Sequence, residues 1–205
     1  MTSAAPRVAI VDDDVLVLRA LDRLLRAAGL AVETFSSADE FLQSRRPAAG
    51  CVVMDLSMPG RGGLELQRAL AEAADSRPIV FISGQGTVPA SVQAMKAGAV
   101  DFLTKPIDEP RLLDAVRAAL EKDRVLREQD TARAAITSRL LTLTERERQV
   151  LAHVVVGKLN KQIAAALGTA EKTIKVHRAR MMRKMQVDSL AELVQAWTVT
   201  QPLRD

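Results

Sequence analysis

The sequence has few of the residues that support metal-thiolate chemistry, base stacking or membrane insertion. It contains no tyrosine, one tryptophan, four phenylalanines, one cysteine and two histidines among 205 residues. Cys51 cannot form an intrachain disulfide, and one cysteine with two histidines cannot complete an ordinary zinc site. The shortage of aromatic rings argues against a nucleic-acid surface built from stacking platforms. Because no apolar run approaches about 18 residues and no signal-peptide pattern is visible, we expect a cytoplasmic protein that does not bind membranes.

Charged residues are unevenly distributed along the chain. Residues 1–120 carry 13 Lys and Arg against 15 Asp and Glu, whereas residues 121–205 carry 16 against 10. The basic excess is densest between residues 171 and 184, where Glu171 is the only acid. Such a density of positive charge predicts that a polyanion binds there.

The first 120 residues alternate short apolar runs with segments of helix length. This alternation predicts an α/β domain with a doubly wound, five-stranded parallel sheet. The predicted strands are residues 8–11, 31–35, 51–54, 79–82 and 100–103. A capping-box pattern at Ser37 and Glu40 predicts the start of a helix, and Gly29 predicts the end of another.

The remaining residues show only helical patterns. Residues 123–139 are rich in alanine and charge and contain neither proline nor glycine, which predicts a helical linker. A second capping box, Thr144 with Glu147, opens a helix, and two further helices are predicted over 160–167 and 171–185 around a turn at Gly168. Two helices joined by a short glycine-containing turn are typical of a helix-turn-helix. We therefore predict three parts, over residues 1–122, 123–139 and 140–205.

Acidic, hydroxyl and ammonium side chains follow four of the predicted strands. They are Asp12, Asp13 and Asp14 after the first strand, Asp55 after the third, Ser83 after the fourth and Lys105 after the fifth. In a doubly wound sheet, the functional crevice lies beyond the carboxyl ends of the strands. Clustered carboxylates favour Mg²⁺, and a carboxylate can attack phosphorus to form an acyl phosphate whose charge a lysine offsets.

Four motifs in this half resemble, in order and spacing, those of the receiver domain of bacterial two-component response regulators. They are Ile10-Val11-Asp12-Asp13-Asp14, Met54-Asp55-Leu56-Ser57-Met58-Pro59 with Gly63, Phe81-Ile82-Ser83-Gly84 and Asp101-Phe102-Leu103-Thr104-Lys105-Pro106. The resemblance implies a flavodoxin-like fold in which a sensor histidine kinase phosphorylates Asp55. It further implies that Lys105 contacts the phosphoryl group, that Ser83 and Phe102 move together as a switch, and that the Lys105–Pro106 bond is cis. The implied Mg²⁺ ligands are Asp12, Asp13, Asp55 and the carbonyl group of Ser57.

Most of these residues also have a simpler interpretation. The three consecutive acids could only cap the first helix, and Lys105 could be an ordinary solvated lysine. Ser83 could belong to a plain turn, and Phe102 could be an immobile core residue. Cys51 is expected to be a buried strand residue without a redox role.

The segment 171–185 has the pattern of an amphipathic helix with a basic outer face. On a helical wheel Ile174, Met181 and Met185 cluster on one side, which suits a core. The opposite side carries Lys172, Val176, Ala179 and Arg183, with Lys175 and Arg180 beside them. Basic edges around small apolar residues suit a DNA major groove, although a solvated charged face is the alternative.

Residues 140–198 resemble the LuxR-type (GerE-like) helix-turn-helix domain. The resemblance rests on Leu143-Thr144-Glu145-Arg146-Glu147, Asn160-Lys161-Gln162-Ile163-Ala164 and Thr173-Ile174-Lys175-Val176-His177. With the receiver, the whole chain resembles a FixJ/NarL-family transcriptional regulator, and residues 84–89 and 94–99 favour the FixJ branch. The resemblance implies that Lys175, Val176 and Ala179 face bases, whereas Lys161, Lys172, Thr173, Arg178 and Lys184 hold phosphates. His177 belongs to the motif, but it could equally be a packing residue.

Two positions depart from the family pattern. The family commonly places hydroxyl residues where this chain has Leu159 and Ala170, and losing an N-cap hydroxyl costs roughly 1 kcal/mol. Asn160 and Thr169 could replace them if each cap moved by one residue.

We expect a DNA-binding regulator that forms a homodimer on promoter DNA when Asp55 is phosphorylated, with RNA polymerase as a further partner. It is not expected to be an enzyme beyond Mg²⁺-dependent self-phosphorylation and dephosphorylation of its own aspartate. The face formed by Leu190, Leu193, Val194 and Trp197 could pair the DNA-binding domains or could be core. Two other functions stay open: a phosphohydrolase with an aspartyl nucleophile, and a constitutive DNA binder whose receiver is only a scaffold.

Overall fold

Five short strands, rich in valine and isoleucine, form a parallel sheet in the first part of the chain. The computed structural model describes residues 7–44, 49–84 and 88–200 and divides into two units after Arg127. The sheet has the order β2-β1-β3-β4-β5, so the predicted doubly wound fold is confirmed. Its strands are β1 (Arg7–Val11), β2 (Ala31–Phe35), β3 (Gly50–Asp55), β4 (Ile79–Ser83) and β5 (Asp101–Thr104).

Helices cover both faces of this sheet because its strands are apolar on both sides. The helices are α1 (Val15–Ala27), α2 (Ala38–Gln43), α3 (Gly63–Glu72), α4 (Val88–Lys96) and α5 (Glu109–Leu141). Val8, Ile10 and Val53 pack with buried leucines of α1 and the start of α5. Their strand neighbours point the other way, and Val52 and Met54 pack with residues of α2, α3 and α4. Every residue of the central strand β3 is buried, as expected for a parallel strand covered on both faces.

Local signals place several helix ends where the sequence predicts them. Ser37 accepts the backbone N–H of Glu40 at the start of α2, although the Glu40 carboxylate bonds to Ser36 rather than to Ser37. Gly29 follows α1 with φ +82°, a conformation that glycine adopts without strain. The predicted cis bond between Lys105 and Pro106 is present.

The amino end of β3 makes an unusually close contact with its neighbours. Gly50 has φ +135°, and a Cβ atom there would lie 1.8 Å from the carbonyl oxygen of Arg7. The N–H of Gly50 donates to Asp123 Oδ2 at 2.8 Å, and Arg127 donates to the same oxygen at 2.7 Å. Asp123, the first residue of the predicted linker, is therefore buried against the base of the sheet. Cys51 beside it is buried as predicted, and burial raises the pKa of its thiol to about 12.

In the part that the structure describes, the second unit contains four helices and the last turns of α5. The helices are α6 (Glu145–Val154), α7 (Asn160–Ala166), α8 (Glu171–Met185) and α9 (Leu190–Thr200). Their core includes Ile174, Met181 and Met185 of α8, as the wheel predicts. Ile136 and Leu140 of α5 pack against this core, so the end of α5 belongs to the helical unit.

The starts of α6, α7 and α8 differ in how they are capped. At α6 both hydrogen bonds of the predicted box are formed, from Glu147 N–H to Thr144 and from Thr144 N–H to Glu147. Leu159 and Ala170 are the N-caps of α7 and α8, and neither makes a side-chain cap bond. The proposed shift of the caps to Asn160 and Thr169 is therefore wrong. The N-caps stay at Leu159 and Ala170 because these two residues adopt the extended backbone conformation of an N-cap.

None of the helices in residues 7–44, 49–84 and 88–200 combines the length and the hydrophobicity required to span a membrane.

Candidate functional site

Two buried carboxylates and one lysine meet at the carboxyl end of the sheet. Asp12 directly follows β1, Asp55 ends β3, and the two residues are 0% and 3% exposed. Lys105 Nζ lies 2.9 Å from Asp12 Oδ2 and 2.9 Å from Asp55 Oδ1. The parallel topology explains this meeting, because neighbouring strands end at the same edge. The ammonium group offsets two negative charges that would otherwise repel each other.

Backbone N–H groups hold the other oxygen of each carboxylate. The N–H of Asp14 donates to Asp12 Oδ1 at 2.8 Å, and the N–H of Ser57 donates to Asp55 Oδ2 at 2.7 Å. Asp13 and Ser57 are exposed beside these buried groups. The site thus has two buried, hydrogen-bonded carboxylates with the exposed residues Asp13 and Ser57 beside them.

The ionisation of the site follows from burial and from these contacts. Burial raises the pKa of Asp12, although the hydrogen bonds from Lys105 and Asp14 oppose this rise. Burial alone would lower the pKa of Lys105, but its bonds to Asp12 and Asp55 outweigh burial and raise that pKa. Lys105 is therefore a cation at neutral pH and can stabilise additional negative charge brought to Asp55.

The three consecutive acids have three different environments. Asp14 is the N-cap of α1 and accepts the N–H of Leu16 at 2.8 Å and that of Val17 at 3.4 Å. The capping interpretation thus describes Asp14, while Asp12 faces Lys105 and Asp13 is exposed. The sequence alone does not separate these roles, because the three residues are identical and adjacent.

Ser83 and Phe102 lie on the neighbouring strands β4 and β5. Ser83 is fully buried at the end of β4, and its carbonyl accepts the N–H of Lys105 at 2.8 Å. Phe102 is half-buried, and its ring centroid lies 6.3 Å from that of Phe81. The ring of Phe102 is thus less constrained by packing than the fully buried ring of Phe81.

The donor set at this site is chemically suited to Mg²⁺. Within the described ranges, no group of three or more His, Cys, Asp and Glu side chains is arranged to hold a metal ion. The predicted ligands Asp12, Asp13, Asp55 and the carbonyl group of Ser57 therefore do not form a full cage of protein ligands. Mg²⁺ prefers a few oxygen ligands from the protein and keeps water at its remaining coordination positions.

Gly63 is a supporting residue whose role emerges only from the structure. A Cβ atom at this position would lie 2.5 Å from the carbonyl oxygen of Asp55 and 2.9 Å from the ring of Phe81. Glycine therefore allows α3 to begin directly against the end of β3. The Met54-to-Gly63 motif contains this glycine, but its spacing does not indicate which backbone it approaches.

The outer face of α8 is exposed and basic. Ile174, Met181 and Met185 are buried, which confirms the predicted inner face. Val176 is 43% exposed despite being apolar. The other predicted contact residues that are exposed are Lys161, Lys172, Thr173, Lys175 and Ala179. This surface offers ammonium groups around a small apolar strip.

Two of the predicted phosphate contacts already have partners inside the helical unit. Arg178 Nη1 donates to Asn160 Oδ1 at 3.2 Å and so joins α8 to α7. Lys184 Nζ donates to Glu147 Oε2 at 2.7 Å and to the carbonyl of Thr142 at 3.0 Å. Burial opposes ionisation of Glu147, but its bonds with Lys184 and Thr144 prevail and lower its pKa.

Other residues of the helical unit are divided between core and surface. His177 is half-buried. Leu193 of α9 is fully buried and Trp197 packs against the same core, whereas Leu190 is 39% exposed. Leu193 and Trp197 of the face predicted on α9 therefore belong to the core, whereas Leu190 does not.

Two family models match the chain, one for each unit. The response regulator receiver domain matches residues 8–117, and the LuxR family of bacterial regulatory proteins matches residues 141–197. The first match contains the acidic site and the second contains α6, α7 and α8.

Known proteins resemble the chain over nearly its whole length. It is 47% identical over 206 aligned positions to the response regulator protein TodT of Pseudomonas putida, covering 100% of this chain and 89% of that protein. It is 43% identical to the transcriptional regulatory protein FixJ of Azorhizobium caulinodans, and the alignment covers 90% of this chain and 88% of that protein. A structure of the response regulator StyR has a TM-score of 0.84 and 47% identity, covering 95% of this chain and 99% of that one.

Proposed function

Because this chain belongs to the transcriptional response regulators, in which a receiver domain precedes a LuxR-type DNA-binding domain, we propose that phosphorylation of Asp55 controls its binding to promoter DNA. The observation that carries this proposal is the position of Asp55. Its carboxylate is fixed by Lys105 and by the N–H of Ser57 at the edge of the sheet where ligands bind. The receiver match contains this site and favours phosphorylation over the phosphohydrolase alternative.

The chemistry is a transfer of a phosphoryl group to a carboxylate. An oxygen of Asp55 attacks phosphorus, the bond to the donor breaks, and an acyl phosphate forms. Lys105 offsets the charge of the phosphoryl oxygens because its ammonium group already contacts the Asp55 carboxylate. Asp12, Asp13, Asp55 and the Ser57 carbonyl would hold Mg²⁺, which supplies further charge neutralisation when bound.

A sensor histidine kinase is the proposed donor, and an apolar rim beside Asp12 suits its docking. Val15 and Leu16 at the start of α1 are 51% and 74% exposed. A groove of about 560 Å³ lies further along α1, between that helix and residues 105–109. Its apolar lining includes Val17, Leu21, Leu24, Pro106 and Ile107, and its charged lining is Arg23, Lys105 and Glu109. An apolar helix seated there would bring its phosphoryl group to Asp55.

The phosphorylated receiver is proposed to pair with a second copy through α4 and β5. Val88, Val92 and Met95 are 75%, 45% and 44% exposed, and their spacing places them in one stripe of α4. Ser83 and Phe102 connect the site to this surface, since Ser83 on β4 precedes α4 in the chain and Phe102 on β5 follows it. A rearrangement of these two side chains would change the surface that a second copy meets.

Pairing would place two copies of α8 on successive half-sites of promoter DNA, about 34 Å apart. We assign Lys175, Val176 and Ala179 to base edges, where Val176 suits a thymine methyl group. We assign Lys161, Lys172, Thr173, Arg178 and Lys184 to phosphates. Arg178 and Lys184 contribute less to this binding, because part of their hydrogen-bonding capacity is used within the protein. RNA polymerase is the further partner that transcriptional control requires.

The decisive experiment compares the wild type with Asp55→Asn by sedimentation and by DNA binding. Beryllofluoride with Mg²⁺ serves as the phosphate mimic. We expect the wild type to shift from monomer to dimer and to bind promoter DNA at least tenfold more tightly. Asp55→Asn removes the carboxylate that receives the mimic, so neither change should occur.

Asp39→Asn is the matched control, because Asp39 is an exposed carboxylate that pairs with Arg61, whereas Lys105 pairs with Asp12 and Asp55. It should respond like the wild type. Dimerisation of Asp55→Asn under beryllofluoride would reject Asp55 as the acceptor. Equal DNA affinity with and without the mimic would instead identify the chain as a constitutive binder.

A further inference from the structure

One buried amide joins α3 to the carboxyl end of α4. Gln67 of α3 is 6% exposed, and its Nε2 donates to the carbonyl oxygens of Ala94 and Ala97, both at 3.2 Å. The last carbonyl groups of a helix have no partner within the helix, so an amide that supplies both hydrogens closes this end. The Ala94 carbonyl also accepts the N–H of Ala99 at 3.1 Å.

The rest of α4 is held much more loosely than this end. Ala94 is the only buried residue among those described in α4, whereas α1 has three buried residues and α3 has four. Val88 and Val92 in the first turns of α4 are exposed. Helix α4 is therefore attached to the receiver mainly at its carboxyl end, through Ala94 and Gln67.

We infer that Gln67 is a positioning residue of the phosphorylation switch, because it fixes the carboxyl end of α4 as a pivot. This inference rests on the proposed function, in which the α4 surface pairs two receivers. With one end fixed, a rearrangement at Ser83 and Phe102 displaces the amino end of α4 and its stripe of Val88 and Val92. Without the pivot, α4 would adopt several positions in both states, and phosphorylation would discriminate less between them.

The first test replaces Gln67 by methionine, which keeps the length of the side chain but donates no hydrogen bond. Dimer dissociation constants are measured by sedimentation with and without beryllofluoride. We expect their ratio to fall about tenfold in Gln67→Met, because an α4 that is free at both ends samples several positions in each state and phosphorylation shifts this distribution less. Phosphorylation of Asp55 by acetyl phosphate should stay within twofold of wild type, because Gln67 does not touch the acidic site.

Gln43→Met is the matched control, because Gln43 is an exposed residue at the end of α2 and the substitution is chemically the same. Its ratio should equal that of the wild type. An unchanged ratio in folded Gln67→Met would overturn the inference, since a residue that only fills space would behave in that way.

The second test uses the wild type and does not depend on the folding of a variant. Hydrogen exchange is followed in peptides of α4 before and after beryllofluoride is added. Protection should change in residues 88–92 and stay constant in residues 97–99. An equal change at both ends would reject the pivot while leaving the proposed function intact. Absence of any response to beryllofluoride would reject the proposed function and the inference with it.

Discussion

Two lysines of this chain contact buried carboxylates, with different consequences. Lys105 lies between Asp12 and Asp55 at an edge of the sheet that a ligand can reach. Lys184 contacts Glu147 and the carbonyl of Thr142, which are both groups of the protein itself. The first arrangement leaves a charged site for chemistry, whereas the second joins α8 to the start of α6. Individual contacts of the same type therefore form the proposed phosphorylation site in one unit and join two helices in the other.

The Glu147–Lys184 pair predicts a pH-dependent stability of the helical unit. The pKa of Glu147 is lowered in the folded protein, so its ionised form stabilises the fold above the unfolded value of about 4.5. This contribution is lost as the pH falls through the lower, folded pKa. We expect Glu147→Gln to lose about 1–3 kcal/mol of unfolding free energy at pH 7 and progressively less below pH 4. The single tryptophan, Trp197, reports unfolding of this unit by fluorescence.

Glu145→Gln provides the comparison for this measurement. Glu145 pairs with Arg148 at 3.3 Å, but it is 74% exposed and its loss should cost less than about 0.5 kcal/mol. If Glu145→Gln and Glu147→Gln had the same pH profile, the buried pair would not be the source of the pH dependence.

At the scale of helices and strands, the bare N-cap of α8 predicts a stabilising substitution. Ala170 is exposed and has φ −77° and ψ 146°, the conformation in which a serine hydroxyl can accept the N–H two or three residues later. Ala170→Ser should therefore raise the unfolding free energy by about 1 kcal/mol in denaturant titration. DNA binding should be retained, because the backbone of α8 is unchanged.

Ala165→Ser is a suitable control inside a helix. Ala165 is an exposed residue within α7, where serine is less favourable than alanine by a few tenths of a kcal/mol. A gain in Ala165→Ser equal to that in Ala170→Ser would show that capping is not the cause.

Elements that depend on local pattern were predictable from the sequence, and contacts between distant residues were not. The strand at 31–35 has the predicted bounds, and the other four differ from prediction by one residue at one or both ends. By contrast, Asp123 was assigned to the linker because its partner, Gly50, lies 73 residues away. The partner of Lys184 lies 37 residues away, and nothing in the local charge pattern distinguishes it from a solvated lysine. The meeting of Asp12, Asp55 and Lys105 was predictable only because parallel strands end at a common edge.

For the molecule as a whole, the division of charge predicts a strong salt dependence of DNA binding. The basic excess lies in residues 121–205, and five residues are assigned to phosphates. With a slope of about −0.9 in log K against log salt for each phosphate, we expect about −4.5 for one protomer and about −9 for a dimer. Fluorescence anisotropy over a range of salt concentrations measures these slopes directly.

Replacing one charged residue in each unit shows which unit is responsible for the salt dependence of DNA binding. Lys172→Ala should reduce the slope by about one per protomer, since Lys172 is exposed on α8. Arg68→Ala, at an exposed position of α3, should leave the slope unchanged. A slope near zero in the wild type would contradict recognition by a basic helix.

The middle of α5 is the part of the chain where regulators of this type can be recombined most safely. Asp123 is buried with the sheet, and Ile136 and Leu140 pack with the helical core, whereas residues 127–135 are all exposed. A hybrid gene joined within residues 127–135 keeps both cores intact. A junction at residue 141, where the LuxR-type match begins, would remove Ile136 and Leu140 from the donor domain and expose apolar surface. Exchange of input and output domains during evolution is subject to the same limit.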